Sequence, residues 1–228
     1  MVMSPELALI IGNKNYSSWS MRPWVLLRQA GIAFRELQLW FDEDGHAKGI
    51  EQYSPTGQVP VLLVNDEPVW DSLAICETVA QLFPEKRLWP GDTRAQALAR
   101  SACAEMHAGF RSLRGAMPVN IRASLPGKGM SPAVERDIAR ITALWSDCRR
   151  RYGSNGDMLF GHFTVADAYY APVAMRFITY AVSLPAAARD YVAAVRTLPA
   201  VAEWMAAAKR ETAFVAADEP YAEANSKR

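Results

Sequence analysis

The run Gln58-Val59-Pro60-Val61-Leu62-Leu63-Val64-Asn65-Asp66-Glu67-Pro68-Val69-Trp70-Asp71-Ser72-Leu73-Ala74-Ile75 decides how the chain folds. Pro60 to Val64 is a short apolar, β-branched run and Val69-Trp70 a second. Asn65-Asp66-Glu67-Pro68 between them supplies turn chemistry for an antiparallel hairpin. Asp71-Ser72 then opens a helix that reaches about Phe83. Proline donates nothing to a strand ladder, which suits Pro60 to a first strand position. A cis Val59–Pro60 bond would splay out the Val59 backbone, so that its N–H and C=O pair with an extended, peptide-like ligand. An ordinary trans strand start is the other reading of the same dipeptide.

Upstream, Leu7 to Ile11 reads as a buried strand, Pro23 through Ala30 as a helix stopped by Gly31, and Phe34, Leu37 and Leu39 as a second strand. Downstream of Pro84 the character changes. Leu88-Trp89-Pro90-Gly91-Asp92 breaks the pattern and no strand-like alternation follows, so a linker is placed at 86–92 between a unit over 1–85 and a second over 93–228. Val134, Ile138, Ile141, Trp145, Cys148 and Tyr152 form one apolar stripe at helical spacing, entered through Ser131 as N-cap with Pro132 behind it. Further helices are predicted at 94–117, 164–181, 187–196 and 200–210, giving a helical bundle. The polar tail from Glu223 to Arg228 is expected to fray.

The 228 residues are 50% hydrophobic and 21% charged, the composition of a packed chain of one to two domains. Against 25 Lys and Arg stand 24 Asp and Glu, so no global field gathers a polyanion, and neither nucleic acid nor a membrane surface is expected as a partner. The start carries no basic region of a signal peptide, and no apolar run has membrane-spanning length. Cys76, Cys103 and Cys148 lie far apart without CxxC spacing, a pattern that fits a reducing cytoplasm. His46, His107 and His162 are too dispersed for a metal site, and none is expected. Arg149-Arg150-Arg151 ends a helix, where cations suit the dipole, and reads as solvated charge.

Three places carry chemistry. The Ser-rich turn Ser17-Ser18-Trp19-Ser20-Met21-Arg22 precedes a helix, whose unpaired N–H groups favour an anion. An outward serine hydroxyl there would stabilise a ligand's thiolate, and simple capping is the alternative role. Gln58-Val59-Pro60 offers its backbone, as above. Asp71-Ser72 combines an acid, suited to an ammonium group, with a hydroxyl at a helix start, suited to a carboxylate, and together they fit an amino-acid end; capping is again the other reading.

In order, these features run strand, Ser-rich turn, helix, strand, helix, Val-Pro strand, hairpin strand, Asp-Ser helix and then helices only. Over nearly its whole length the chain resembles a cytosolic glutathione transferase, and in particular the serine-type, zeta-like (maleylacetoacetate isomerase-like) branch. Ser17-Ser18-Trp19-Ser20-Met21-Arg22 is similar to that branch's SSCSxR motif, with Trp19 in place of Cys. Gln58-Val59-Pro60 and Asp71-Ser72 match the glutathione-site pattern, with Asp where Glu or Gln is commoner. Thr164-Val165-Ala166-Asp167 resembles the N-capping box of the helical domain.

The resemblance implies an α+β fold, a thioredoxin-like domain with a mixed four-stranded sheet over 1–85 followed by the all-helical domain over 93–228. It implies glutathione as co-substrate and a homodimer. Ser17 takes the catalytic position, donating to the glutathione sulfur. Ser18 and Trp19 shape the pocket beside it, Gln58, Val59 and Pro60 present the backbone to the cysteinyl unit, and Asp71 and Ser72 hold the γ-glutamyl end. A small electrophile would sit against the helix containing Met106, His107, Phe110 and Arg111, with Arg176 meeting an anionic group; core packing for Met106 and Phe110, a buried histidine for His107 and a surface arginine for Arg176 are the other readings. The implied activity is transfer to an electrophilic carbon or cis-trans isomerisation, and the rival class is a glutathione-transferase-like binding or scaffold protein without turnover.

Overall fold

The computed structural model describes residues 5–222. Four strands, β1 (Leu7–Ile11), β2 (Arg35–Gln38), β3 (Val61–Val64) and β4 (Glu67–Val69), form one sheet in the order β2-β1-β3-β4. β1 pairs parallel with β2 and antiparallel with β3, and β3 pairs antiparallel with β4. β1 is apolar throughout because both its faces are covered. Leu7, Leu9 and Ile11 face the main core with α1 (Ser18–Gln29) and α2 (Ser72–Leu82), while Ile10 packs with Ala47, Ile50 and Val61 beneath the connection that follows β2.

The hairpin turn is shorter than its composition implied. Asn65 and Asp66 both take positive φ, 49° and 69°, the two-residue turn whose twist matches its strands. Glu67 and Pro68 therefore belong to β4, an edge strand, where a missing N–H is tolerated. No helix lies between β2 and β3; a single 3₁₀ turn, Ile50–Gln52, takes the expected place. α1 begins five residues ahead of Pro23, since Ser17 already caps it and the proline is carried inside.

Beyond residue 92 the described chain is helical: α3 (Thr93–Ala108), α4 (Arg111–Ala116), α5 (Pro132–Tyr152), α6 (Val165–Thr179), α7 (Ala186–Thr197) and α8 (Pro199–Arg210). The single helix predicted over 94–117 is broken at Gly109-Phe110. Phe110 adopts φ 55°, which sends its ring into the core, and a Cβ on Gly109 would stand 2.7 Å from the Glu105 carbonyl oxygen. α6 is the axis of this half and is buried on nearly every side, as its apolar sequence requires. Its start is a complete capping box: the Asp167 carboxylate accepts the Thr164 N–H and hydroxyl, the Leu159 N–H and the Tyr191 hydroxyl.

One core joins the two halves, with α1 packed directly on α6. The segment expected as a linker is held down as well. Leu88 and Trp89 are buried, the Leu88 carbonyl accepts the Val165 N–H, and the Trp89 indole donates to Glu77. Arg150 and Arg151 project to solvent and pair with Asp147. The tail expected to fray lies outside the described residues. No described helix is long and apolar enough to cross a membrane.

Candidate functional site

A cleft of about 1170 Å³ opens where the N-termini of α1 and α2 meet the end of α3, α4 and the chain around Asp218. Helix N-termini carry unpaired N–H groups and partial positive charge, so this junction suits an anionic ligand before any side chain is considered. Ser17, Ser18 and Trp19 all reach the cleft, as do Gln58, Val59, Pro60, Asp71 and Ser72. Side chains far apart in sequence are thus brought to one wall.

Ser17 is the N-cap of α1. Its Oγ accepts the Ser20 N–H at 3.3 Å and its hydroxyl donates to Ser20 Oγ at 2.7 Å, which in turn accepts the Gly12 N–H. The capping role set beside the catalytic one is therefore occupied. Only the O–H rotor must turn for Ser17 to donate into the cleft, and Ser20 can then reverse its own hydroxyl to donate back to Ser17 Oγ. The Ser18 hydroxyl makes no hydrogen bond among the described residues and stands at the first position of α1. The Val59–Pro60 bond is cis, and neither the N–H nor the C=O of Val59 has a hydrogen-bond partner among the described residues.

Asp71 caps α2 through the Leu73 N–H, with its side chain 55% exposed and so open to a ligand. Its other oxygen lies 3.2 Å from Nε2 of His107 on α3. Nδ1 of that ring meets the Tyr169 hydroxyl at 2.8 Å, and the hydroxyl meets Ser72 Oγ at 2.9 Å. Asp71, His107, Tyr169 and Ser72 form one continuous chain of polar contacts across the two halves. Burial pushes the Tyr169 phenol well above its usual range, so it remains a donor at neutral pH. Arg22, wholly buried, lies 4.0 Å from the Trp19 ring centre and 4.3 Å from that of Tyr169, and its Nε and Nη1 have no partner among the described residues. Burial lowers its pKa.

The residues expected to hold a second substrate separate. His107, Arg111 and Arg176 line the cleft; Met106 and Phe110 do not, because both are packed into the core, where methionine and aromatic side chains at helical spacing more often belong. Arg176 is no surface residue. It is buried at the cleft floor, its Nε donates to the Met117 carbonyl, and its Nη1 is unpartnered among the described residues. Burial lowers its pKa to about 9, helped by the nearby Arg22 and Arg114, which leaves it charged at neutral pH. Sequence reasoning missed Arg114, Tyr169 and Asp218. None stands in a recognisable motif, and only the packing of α4, α6 and the C-terminal segment brings them here. Among the described residues no cluster of His, Cys, Asp or Glu has the arrangement of a metal site.

Comparison with known proteins agrees with this geometry. Residues 16–82 match the glutathione S-transferase N-terminal domain and residues 131–207 the glutathione S-transferase C-terminal domain. No curated protein sequence matches the chain. Among solved structures, it is similar to a Burkholderia glutathione transferase homolog with bound glutathione, at 20% identity and TM-score 0.68 over 90% of this chain and 100% of that one. Glutathione transferase Omega 2S from Trametes versicolor gives 18% and 0.68 over 90% and 93%. A glutathione transferase from Methylococcus capsulatus gives 21% and 0.64 over 89% and 98%. The two family matches fall on the serine turn with β2, β3, β4 and α2, and on the helices around α6, and on them the chain belongs to the glutathione S-transferase superfamily.

Proposed function

We propose that the protein is a glutathione transferase that activates the thiol of glutathione for attack on a small electrophile, with the division at 86–92 separating the glutathione-binding half from the helical half. The observation that carries the reading is the convergence of two capped helix starts, a hydroxyl pair and a free backbone edge on one cleft. In this reading Val59 pairs with the cysteinyl backbone, Asp71 takes the γ-glutamyl ammonium, and Ser72 with the first turn of α2 takes its carboxylate. The sulfur then lies over the start of α1. A free thiol ionises near pH 8.5, and a hydroxyl donor plus the helix N-terminus favour the charged form. The thiol proton leaves to solvent, the thiolate forms a carbon–sulfur bond, and the electron pair displaced from the electrophile leaves with its leaving group or rests on an activating carbonyl.

Arg111, Arg114 and Arg176 reach the cleft against Asp71 and Asp218, which favours an electrophile bearing an anionic group. An activated cis-alkene of that kind would be isomerised by thiolate addition, bond rotation and expulsion of the thiolate. The turned-in Ser17 hydroxyl favours a second reading, a protein that binds glutathione without turnover. Calorimetric titration with glutathione, followed by assays of aryl halides and a maleyl-type cis-alkene with and without it, separates the two. Absence of binding at millimolar glutathione would sink both, and binding with no turnover of any electrophile would leave the second. We also propose a two-fold homodimer, which sedimentation at the 25.2 kDa chain mass at all concentrations would exclude.

A further inference from the structure

The loop Asn13–Tyr16 delivers the chain from β1 to Ser17, and its hold comes largely from the other end of the molecule. Glu211, just past α8 and 9% exposed, accepts the Lys14 N–H at 2.7 Å on one carboxylate oxygen and the Asn15 N–H at 3.0 Å on the other. Gln38 of β2 donates to the same carboxylate. Two successive backbone N–H groups converging on a carboxylate form an anion nest, occupied here by the protein's own side chain. Every polar atom of Asn15 is engaged by residues that follow in the helical half: its N–H by Glu211, its carbonyl by the Ile121 N–H at 3.3 Å, its Oδ1 by the Arg122 N–H at 2.9 Å, and its Nδ2 by Asn120 at 2.9 Å. Arg122 closes the clamp by donating to the Glu211 carbonyl, to the Ala213 carbonyl and to the Tyr16 hydroxyl. Ser17's own N–H is held by the Asn13 carbonyl at 2.8 Å, so where the loop sits is where Ser17 sits.

We infer that Glu211 is a positioning residue for the thiol-activating serine turn, acting through the Lys14 and Asn15 amides and not by contact with substrate. The inference rests on the proposed function for its kinetic consequence. Catalysis by a single hydroxyl donor is sensitive to displacement, because a shift of about 1 Å can cost on the order of 100-fold in rate. Glutathione itself is gripped at Val59, Asp71 and Ser72, which Glu211 does not touch. Loss of the clamp therefore separates affinity from activation.

Glu211→Gln keeps the shape of the side chain but places an amide donor against one of the two N–H groups; Glu211→Ala removes both acceptors. Glutathione dissociation constants from calorimetry are expected to stay within about twofold of wild type for both. The thiolate absorbance titration of the bound tripeptide is expected to move upward in pH, and kcat at neutral pH to fall by about 10-fold in Glu211→Gln and further in Glu211→Ala. A structural role alone would lower the melting temperature without moving the thiol titration. Backbone amide exchange across residues 13–18 is measured in parallel without ligand and is expected to accelerate in both variants. If Glu211→Ala does not fold, the isosteric Glu211→Gln carries the test. A wild-type protein that takes up no glutathione overturns the proposed function, and the exchange measurement then still decides the anchoring. Unchanged exchange across 13–18, or an unmoved thiol titration with kcat within about twofold in variants that bind glutathione, overturns the inference.

Discussion

Ser17 and Ser72 stand at the starts of two helices and meet different parts of the tripeptide in the proposed complex, so their removal should read differently. Ser17→Ala loses the donor to sulfur and the cap of α1. The bound thiol's pKa should rise, turnover at neutral pH should fall by roughly 10–10⁴-fold, and stability should drop by about 1 kcal/mol, with affinity for glutathione little changed. If the thiol titration stays in place and turnover is full, Ser17 is a cap only, and the unpartnered Ser18 hydroxyl becomes the donor to test. Ser72→Ala should instead weaken glutathione binding by about 10- to 100-fold, since a charge-assisted hydrogen bond is worth roughly 1.5–3 kcal/mol. Asp218 offers a pH signature. Its carboxyl is pushed up to about 6 by burial, against the pull of Arg176 and with Glu219 adding. Folding thus favours its protonated form, so the stability it contributes is complete below about pH 4 and is lost as the pH rises through about 6. Asp218→Asn should be more stable than wild type at pH 7 by on the order of 2 kcal/mol and nearly equal to it at pH 4, which urea midpoints at the two pH values would show; an equal difference at both would exclude the titration.

At the scale of elements, α6 depends on one carboxylate. Asp167→Ala would strand the Leu159 and Thr164 N–H groups and the Thr164 and Tyr191 hydroxyls without water to replace the lost acceptor. A loss of roughly 3–5 kcal/mol in urea unfolding is expected, and a loss below about 1 kcal/mol would show that the box is dispensable. This element was legible in the sequence because a capping box is a local pattern, as were the α5 stripe and the strand-forming runs. What escaped was set by contacts between distant residues. The break at Gly109-Phe110 follows from the core's demand for the Phe110 ring, which no local propensity encodes. The same holds for Asp71 meeting His107 and for Glu211 meeting the Lys14 and Asn15 amides. Within the site, the positions proposed to face glutathione lay in motifs, whereas the cationic floor of the cleft comes from helices whose register only packing decides. Met106 and Phe110 pointed toward the cleft only as parts of one unbroken helix, and helical spacing alone shows neither which face turns inward nor the break at Gly109-Phe110.

For the molecule as a whole, the shared core between α1 and α6, the buried Leu88-Trp89 segment and the return of the chain at Glu211 all join the two halves. A single cooperative unfolding transition is expected, with tryptophan fluorescence and far-UV circular dichroism coincident in urea; two separated midpoints would refute that coupling. The three cysteines give this unity a further use. Cys76 on α2, Cys103 on α3 and Cys148 on α5 are all sealed in the core, and burial pushes each thiol upward, to about 12 for Cys148. In the native molecule a chromogenic disulfide reagent therefore finds no thiolate to attack, and the colour it releases counts only those chains that have opened. Each sulfur marks a different helix, so the order in which the three are labelled is a clock for which part of the protein lets go first.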